Sequence, residues 1–327
     1  PAPPGLGGLC TNTGRGGGAP GTGPRLTDGR GGTVTEFLQQ LINSLSLGSI
    51  YALIALGYTM VYGIIKLINF AHGEVYMVGA YVGYFSMSVL KLGFFESLIL
   101  AMLICTVLGV LIERIAYRPL RNSTRIAALI TAIGVSLLIQ YTMMFFVGAD
   151  PRAYPAMPDF MNGSINLGGV VIKNQQILII GVSVLLMILL QFVVKKTKMG
   201  KAMRAVSQDP DAARLMGISV DRTISFTFAI GSALAGAAGV LVGVYYNSIN
   251  PLMGIIPGLK AFVAAVFGGI GIIPGALIGG YVIGGSETLV SSLGFSLFKD
   301  GVVFAILIAI LIIKPTGLLG KNRKEKV

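Results

Sequence analysis

Five stretches without a single charged residue, 37–65, 126–149, 174–194, 223–259 and 261–286, limit what this chain can become. At about 1.5 Å of helical rise per residue, each is long enough to cross a hydrocarbon core of ~30 Å. Shorter apolar runs at 75–90, 97–112 and 301–313 can also cross where flanking groups snorkel or the helix tilts. None of them alternates polar with apolar residues as a barrel strand must, so each segment reads as a helix. The 327 residues are 54% hydrophobic and only 12% charged, with a mean hydropathy of +0.80. The expected fold class is therefore all-α: a polytopic integral membrane protein of about eight transmembrane helices, some broken or re-entrant.

The ends stand apart from this pattern. Residues 1–33 are rich in Gly and Pro and contain no apolar run, so a disordered tail is expected there. The hypothesis that this tail is upstream sequence read from a misassigned start is tested by the intact mass of the native protein. The membrane domain is expected over 34–320, followed by a basic tail, 321–327.

The formal charge of +12 does not indicate nucleic acid, because the cations gather in a few loops between apolar segments. Four arginines and no acid occupy 114–125, seven Lys/Arg occupy 195–222, and five follow from Lys314. The positive-inside rule places all three, and hence the C-terminus, in the cytoplasm. The loops 149–173 and 246–256 then face outward, and the Asn162 sequon reads as incidental. Parity follows: the chain between the second and third basic segments must cross an even number of times, yet three apolar blocks lie there. The block 257–286 resolves this if it breaks at Gly268, Gly269, Gly271, Pro274 and Gly275 into two short legs or a re-entrant pair. Such breaks are tolerated where protein or a water-filled cavity covers the freed backbone, and they tend to line transport paths.

A similar break falls at "NFAHGEVYMVGAY", 69–81, which holds the chain's one histidine, His72. A metal site needs more ligands than His72 can recruit, and the two cysteines, Cys10 and Cys105, suggest neither zinc nor a disulfide. No metal site is expected. Lys66, Asn69, His72, Gly73 and Glu74 read either as polar groups that satisfy backbone at a helix break or as lining of a translocation path. Glu96, Glu113, Glu287 and Asp300 fall near expected helix ends, which leaves Glu74 as the candidate acid at membrane depth. This break is similar in pattern to the one in 257–286, an echo too weak to demonstrate a repeat. Gly231, Ala235, Gly239 and Gly243 form a small-residue stripe along one helix face, suited to close helix packing.

The loop "KKTKMGKAMRAVSQDPDAARLMGISVDR", 195–222, is long for a connection between spans. Asp209 as N-cap, Pro210 at the first position and Gly217 as terminator predict a short helix over 210–216. Its exposed apolar surface lies beside Arg204, Arg214 and Arg222 and would suit a cytoplasmic partner. Here "DAARLMG", Asp211 to Gly217, resembles the EAA-x-x-x-G loop of ABC importer permeases, with Asp for the usual Glu. Together with "LINSLSLGSIYALIALGYTMVYGIIKLINFAHGEVYMVGAY" and "FVAAVFGGIGIIPGALIGG", the chain over about 35–320 resembles the LivH-type permeases of branched-chain amino acid importers.

The resemblance implies an ABC importer permease in the bacterial inner membrane, paired with a LivM-type second permease. Two cytoplasmic ATPases and a periplasmic solute-binding protein would complete the importer. It implies coupling to the ATPases through Arg204, Asp209, Asp211, Ala212, Ala213, Arg214 and Gly217, and a path near Asn69, His72, Gly73, Glu74, Gly268, Gly269, Gly271 and Pro274. No G-x-x-x-x-G-K-[ST] loop is present, so ATP and Mg belong to partner subunits and this chain is expected to bind no cofactor. Without the resemblance, the broken segments also suit an ion-coupled secondary transporter or a channel. An enzyme using His72 and Glu74 lacks the second His, acid cluster or nucleophile that would support it.

Overall fold

The computed structural model describes residues 31–121, 123–155 and 163–320. Most of the Gly/Pro tail, the 321–327 tail and the Asn162 sequon lie outside the described residues. Helix α1, Gly31–Ile65, begins three residues before the expected boundary of the membrane domain. It is followed by α2, His72–Ser88, and by α3, Phe94–Ile112, which a π-helical turn extends to Tyr117. Helix α4, Arg125–Val147, completes the first half. The second half comprises α5, Asn174–Lys196; α6, Lys198–Gln208; α7, Pro210–Leu215; and α8, Val220–Tyr246. It ends with α9, Ile255–Gly268; α10, Ile273–Ser292; and α11, Lys299–Ile313.

Strand structure is minor. Strand β1, Arg152–Ala153, pairs with β4, Ser248–Ile249, and β2, Ser164–Leu167, forms a hairpin with β3, Val170–Lys173. Six of the described helices, α1, α3, α4, α5, α8 and α11 with its preceding turn, are long and apolar enough to cross a membrane. Helices α2, α9 and α10 pack among them.

Long helices α1 and α8 form the centre, with α1 packed on α10 and α3 packed on α8. The core is correspondingly small-residue and aliphatic, with Ile50, Ala52, Leu53, Ala55, Leu56, Ala237, Ala238 and Val240 wholly buried. Gly231 packs against the Gly57 backbone, Gly239 against Tyr76 and Ala80 of α2, and Gly243 against the Tyr154 ring, while Ala235 is fully buried. Within this chain the small-residue stripe therefore brings three neighbours close to α8.

The apolar block 257–286 divides into α9 and α10, with the break at 269–272. Gly269 and Gly271 have φ of 103° and 90°, a region that side chains disfavour. Pro274 plays a different part from the mid-segment breaker expected. It sits in the first turn of α10, where no intrahelical donor is missed. The orphan carbonyls at the end of α9 are met by the C-terminal segment: Leu318 N–H donates to Phe267 O at 2.7 Å and Leu319 N–H to Gly268 O at 3.1 Å.

The break after Ile65 has a counterpart after Tyr246. In each, a long helix gives way to non-helical chain containing Ile-Asn, Ile68-Asn69 or Ile249-Asn250, and a shorter helix starts beside a glycine, Gly73 or Gly254. Two further helices follow in both halves. Lys66, just past α1, shares a cavity with Ser207 near the end of α6, so α1 arrives at the face from which α8 departs. The two halves thus run in opposite senses, and the equivalent of the break after Ile65 is this one rather than the break at 269–272 with which the sequence reading compared it.

Candidate functional site

The starts of α2 and α9 meet inside the bundle. A Cβ on Gly73 would lie 2.5 Å from Gly254 O, and one on Gly254 would lie 2.6 Å from Gly73 O, so neither position has room for a side chain. Around this junction the side chains of the 69–74 break are buried. Asn69, 3% exposed, accepts from the Tyr117 hydroxyl at 3.0 Å through Oδ1, and its carbonyl accepts from His72 N–H at 3.1 Å. These bonds satisfy the irregular backbone before α2. The His72 ring stands edge-on to Tyr58, with centroids 4.7 Å apart, and its Nε2 has no partner among the described residues.

Glu74 opens onto a cavity of ≈200 Å³ lined by Tyr58, Phe70, Ser136, Gln140, Ile255 and Leu259, among others. Ser136 Oγ on α4 donates to Glu74 Oε1 at 3.4 Å. A second cavity, ≈770 Å³, holds Gly271 with Tyr62, Gly63, Lys66, Ser207 and Thr316. The path residues singled out in sequence therefore separate into two groups. Asn69, His72, Gly73 and Glu74 gather at the junction, whereas Gly268, Gly269, Gly271 and Pro274 form the break beside the C-terminal segment. Along α1 the two cavities are neighbours: Tyr58 and Tyr62, four residues apart on one face, line one cavity each.

Two more acids are deeply buried besides Glu74, the candidate acid at membrane depth. Glu113 is wholly buried, accepting from Ser225 Oγ at 2.6 Å and pairing with Arg121, which also reaches Asp221 at 2.5 Å. Glu287, 3% exposed, accepts from the Tyr51 hydroxyl at 2.7 Å and from Lys260 Nζ at 2.9 Å. Lys299 lies 3.3 Å from its other oxygen. Lys260, itself 3% exposed, is an ion pair with Asp300 at 2.6 Å by distance, without hydrogen-bond alignment. This cluster ties α1, α9, α10 and α11 together. Its sequence signal was one Lys inside the apolar block 257–286 and one Glu directly after it, opposite charges that membrane helices rarely carry unpaired.

The long basic loop folds as two short helices under the bundle. Thr197 Oγ1 caps α6 by accepting from Gly200 N–H at 3.0 Å. Arg204 donates to the Val194 carbonyl at the end of α5. Met203 and Val206 bury the inner face of α6, which packs on α1 and α8. Asp209 Oδ1 accepts from Asp211 N–H and Ala212 N–H, both at 2.9 Å, and so starts α7 where the sequence predicts. Gly217, at φ 81°, ends it, with Gly217 N–H bonded to Arg214 O and Ile218 N–H to Ala213 O. Ala213 faces inward, and the Asp211–Arg214 pair is solvent-exposed. Leu215 and Met216 are 89% and 82% exposed.

Among the described residues no group of three or more His, Cys, Asp and Glu side chains could hold a metal ion. The family model for the permease component of branched-chain amino acid transport systems matches residues 40–311. The chain is 44% identical over 304 residues to the high-affinity branched-chain amino acid transport system permease protein BraD of Pseudomonas aeruginosa, covering 90% of this chain and 99% of that protein. It is 46% identical over 301 residues to the LivH permease protein of Salmonella typhimurium, covering 89% and 98%. A probable LivH from Methanocaldococcus jannaschii is 31% identical, with 87% and 93% covered. No solved structure matches the chain.

Proposed function

Because the chain belongs to the family of branched-chain amino acid transport permease components, we propose that it forms the membrane passage of an ATP-driven importer for leucine, isoleucine, valine or related amino acids. It is a transport component, and ATP hydrolysis takes place on separate subunits. In this reading it sits in a bacterial inner membrane with its C-terminus in the cytoplasm, beside a second, LivM-type permease. Two ATPases carry ATP and Mg, and a periplasmic binding protein delivers the solute.

The observation that carries the reading is helix α7. It presents two large apolar side chains, Leu215 and Met216, almost fully to solvent, on a helix held by its own cap and stop. Such a surface suits a groove on an ATPase. Helix α6, which continues into α7, packs on α1 and α8, the helices that carry Tyr58 and Gly231 to the centre. Ser207 of α6 also lines the cavity that holds Tyr62 and Gly271. Closure of the ATPase dimer would move α7, and through α6 would shift α1 against α8. The solute would then pass from the Glu74 cavity to the cavity near Lys66.

The test is uptake by the reconstituted importer in proteoliposomes. Wild type should take up branched-chain amino acids only with ATP and all partners present. Leu215→Ala with Met216→Ala should weaken ATPase docking by about 2–4 kcal/mol, or ~30- to 1,000-fold, and uncouple hydrolysis from uptake. Uptake by this chain alone, driven by an ion gradient, would overturn the reading in favour of a secondary transporter.

A further inference from the structure

Resting on that substrate reading, the junction supports a more specific statement about what its cavity holds. The other buried acids are matched: Glu113 by Arg121 and Ser225, and Glu287 by Tyr51, Lys260 and Lys299. Glu74 differs. It is 1% exposed, its Oε1 receives one long bond from Ser136, and its Oε2 has no donor among the described residues. A carboxyl oxygen that has given up water without gaining a donor is costly to bury, and a cation in the cavity would remove that cost.

The rest of the wall restricts which cation. Phe70, Ile255 and Leu259 give an aliphatic and aromatic surface, and the ≈200 Å³ volume is small, below the ~300–1,000 Å³ of ordinary ligand pockets. Gly254 and Ile255 bring the N-terminus of the 14-residue α9 to the same cavity. That end of a helix attracts an anion, while Glu74 occupies the first turn of α2. One carboxylate, one positive helix end and an apolar wall are thus arranged around a space for a small solute.

We infer that this cavity binds a small zwitterion with an apolar side chain. The Glu74 carboxylate accepts from its ammonium, the α9 N-terminus faces its carboxylate, and Phe70, Ile255 and Leu259 hold the side chain. A sugar offers neither the cation nor the apolar part.

The experiment uses the assembled importer in nanodiscs without its binding protein, so that the binding protein's selectivity does not enter. Displacement of radiolabelled L-leucine is measured with 3-methylbutylamine, which lacks the carboxylate, and with 4-methylpentanoate, which lacks the ammonium. The amine should compete better than the acid. Glu74→Gln should weaken leucine binding about 10- to 100-fold and abolish the amine's advantage. Glu74→Asp should keep that advantage at reduced affinity, a ratio that a folding defect does not produce. Wild-type affinity in Glu74→Gln, an unchanged amine-to-acid ratio, or no binding to wild type at the solubility limit of all three compounds would overturn the inference. So would loss of the amine's advantage in Glu74→Asp, which decides the matter if the glutamine variant does not assemble. Failure of the complete wild-type importer to take up branched-chain amino acids would instead overturn the functional reading. Intact uptake with unchanged Glu74→Gln binding would overturn only this one.

Discussion

Replacing Lys260 by methionine keeps the aliphatic stem and removes the ammonium from the centre of the α9–α10–α11 ion cluster. Glu287 then loses its 2.9 Å partner but keeps the Tyr51 hydroxyl at 2.7 Å and Lys299 at 3.3 Å. Stripping one partner from a buried pair typically costs ~3–5 kcal/mol, because the other charge is left uncompensated. The two remaining contacts hold Lys260→Met near the low end, at about 3 kcal/mol. Removing the acid's charge as well, with Lys260→Met and Glu287→Gln together, leaves no uncompensated charge and keeps an amide oxygen to accept from the Tyr51 hydroxyl. The side chain of Asp300 is 43% exposed and returns to water with Lys299. The double variant is therefore expected within about 1 kcal/mol of wild type, so that the two substitutions are strongly non-additive. Reversible unfolding of the purified chain in mixed micelles, followed by circular dichroism, measures all three variants. If Lys260→Met unfolds within 1 kcal/mol of wild type, or if the double variant is as unstable as the single, the cluster does not hold these helices together and the reasoning fails.

Two further outcomes follow from the same geometry. Gly254→Val should force α2 and α9 apart, since even a Cβ there would lie 2.6 Å from Gly73 O and 2.8 Å from Glu74 Oε2. A stability loss of about 1–3 kcal/mol and loss of uptake by the assembled importer are expected, whereas full uptake would show that the junction tolerates separation. Arg121→Ala should leave Glu113 buried beside Ser225 and lower stability by about 3 kcal/mol, with partial rescue by the second change Glu113→Gln; equal thermal midpoints for the arginine variant and wild type would refute this.

Much of the local structure was legible without coordinates, and particular residues show why. Asp209, Pro210 and Gly217 specify the limits of α7 because caps and stops act on neighbours a few residues away. The break near Gly269 and Gly271 could be inferred from parity and from glycine's freedom at positive φ. Pro274 was misread as the interrupter because its effect depends on whether it lies within a helix or at a helix start, which its own sequence neighbours do not decide. Glu287 looked like a helix-end acid for a similar reason: its partners Lys260, Tyr51 and Lys299 are distant in the chain or belong to other helices.

From the sequence alone followed the all-helical membrane class, the clustering of cations between apolar segments, the short capped helix and the two breaks at 66–74 and 268–275, all properties of hydropathy, charge and local backbone preference. The tertiary structure decided that the break after Ile65 has its equivalent after Tyr246 in an oppositely directed half, that Gly73 meets Gly254 where those two breaks come together, and that Glu74 alone of the three deeply buried acids has a carboxyl oxygen without a donor among the described residues. Those facts depend on which helices pack together. Hydropathy fixes that a helix is buried in the membrane, but the partner of a buried charge is set by the close approach of residues far apart along the chain.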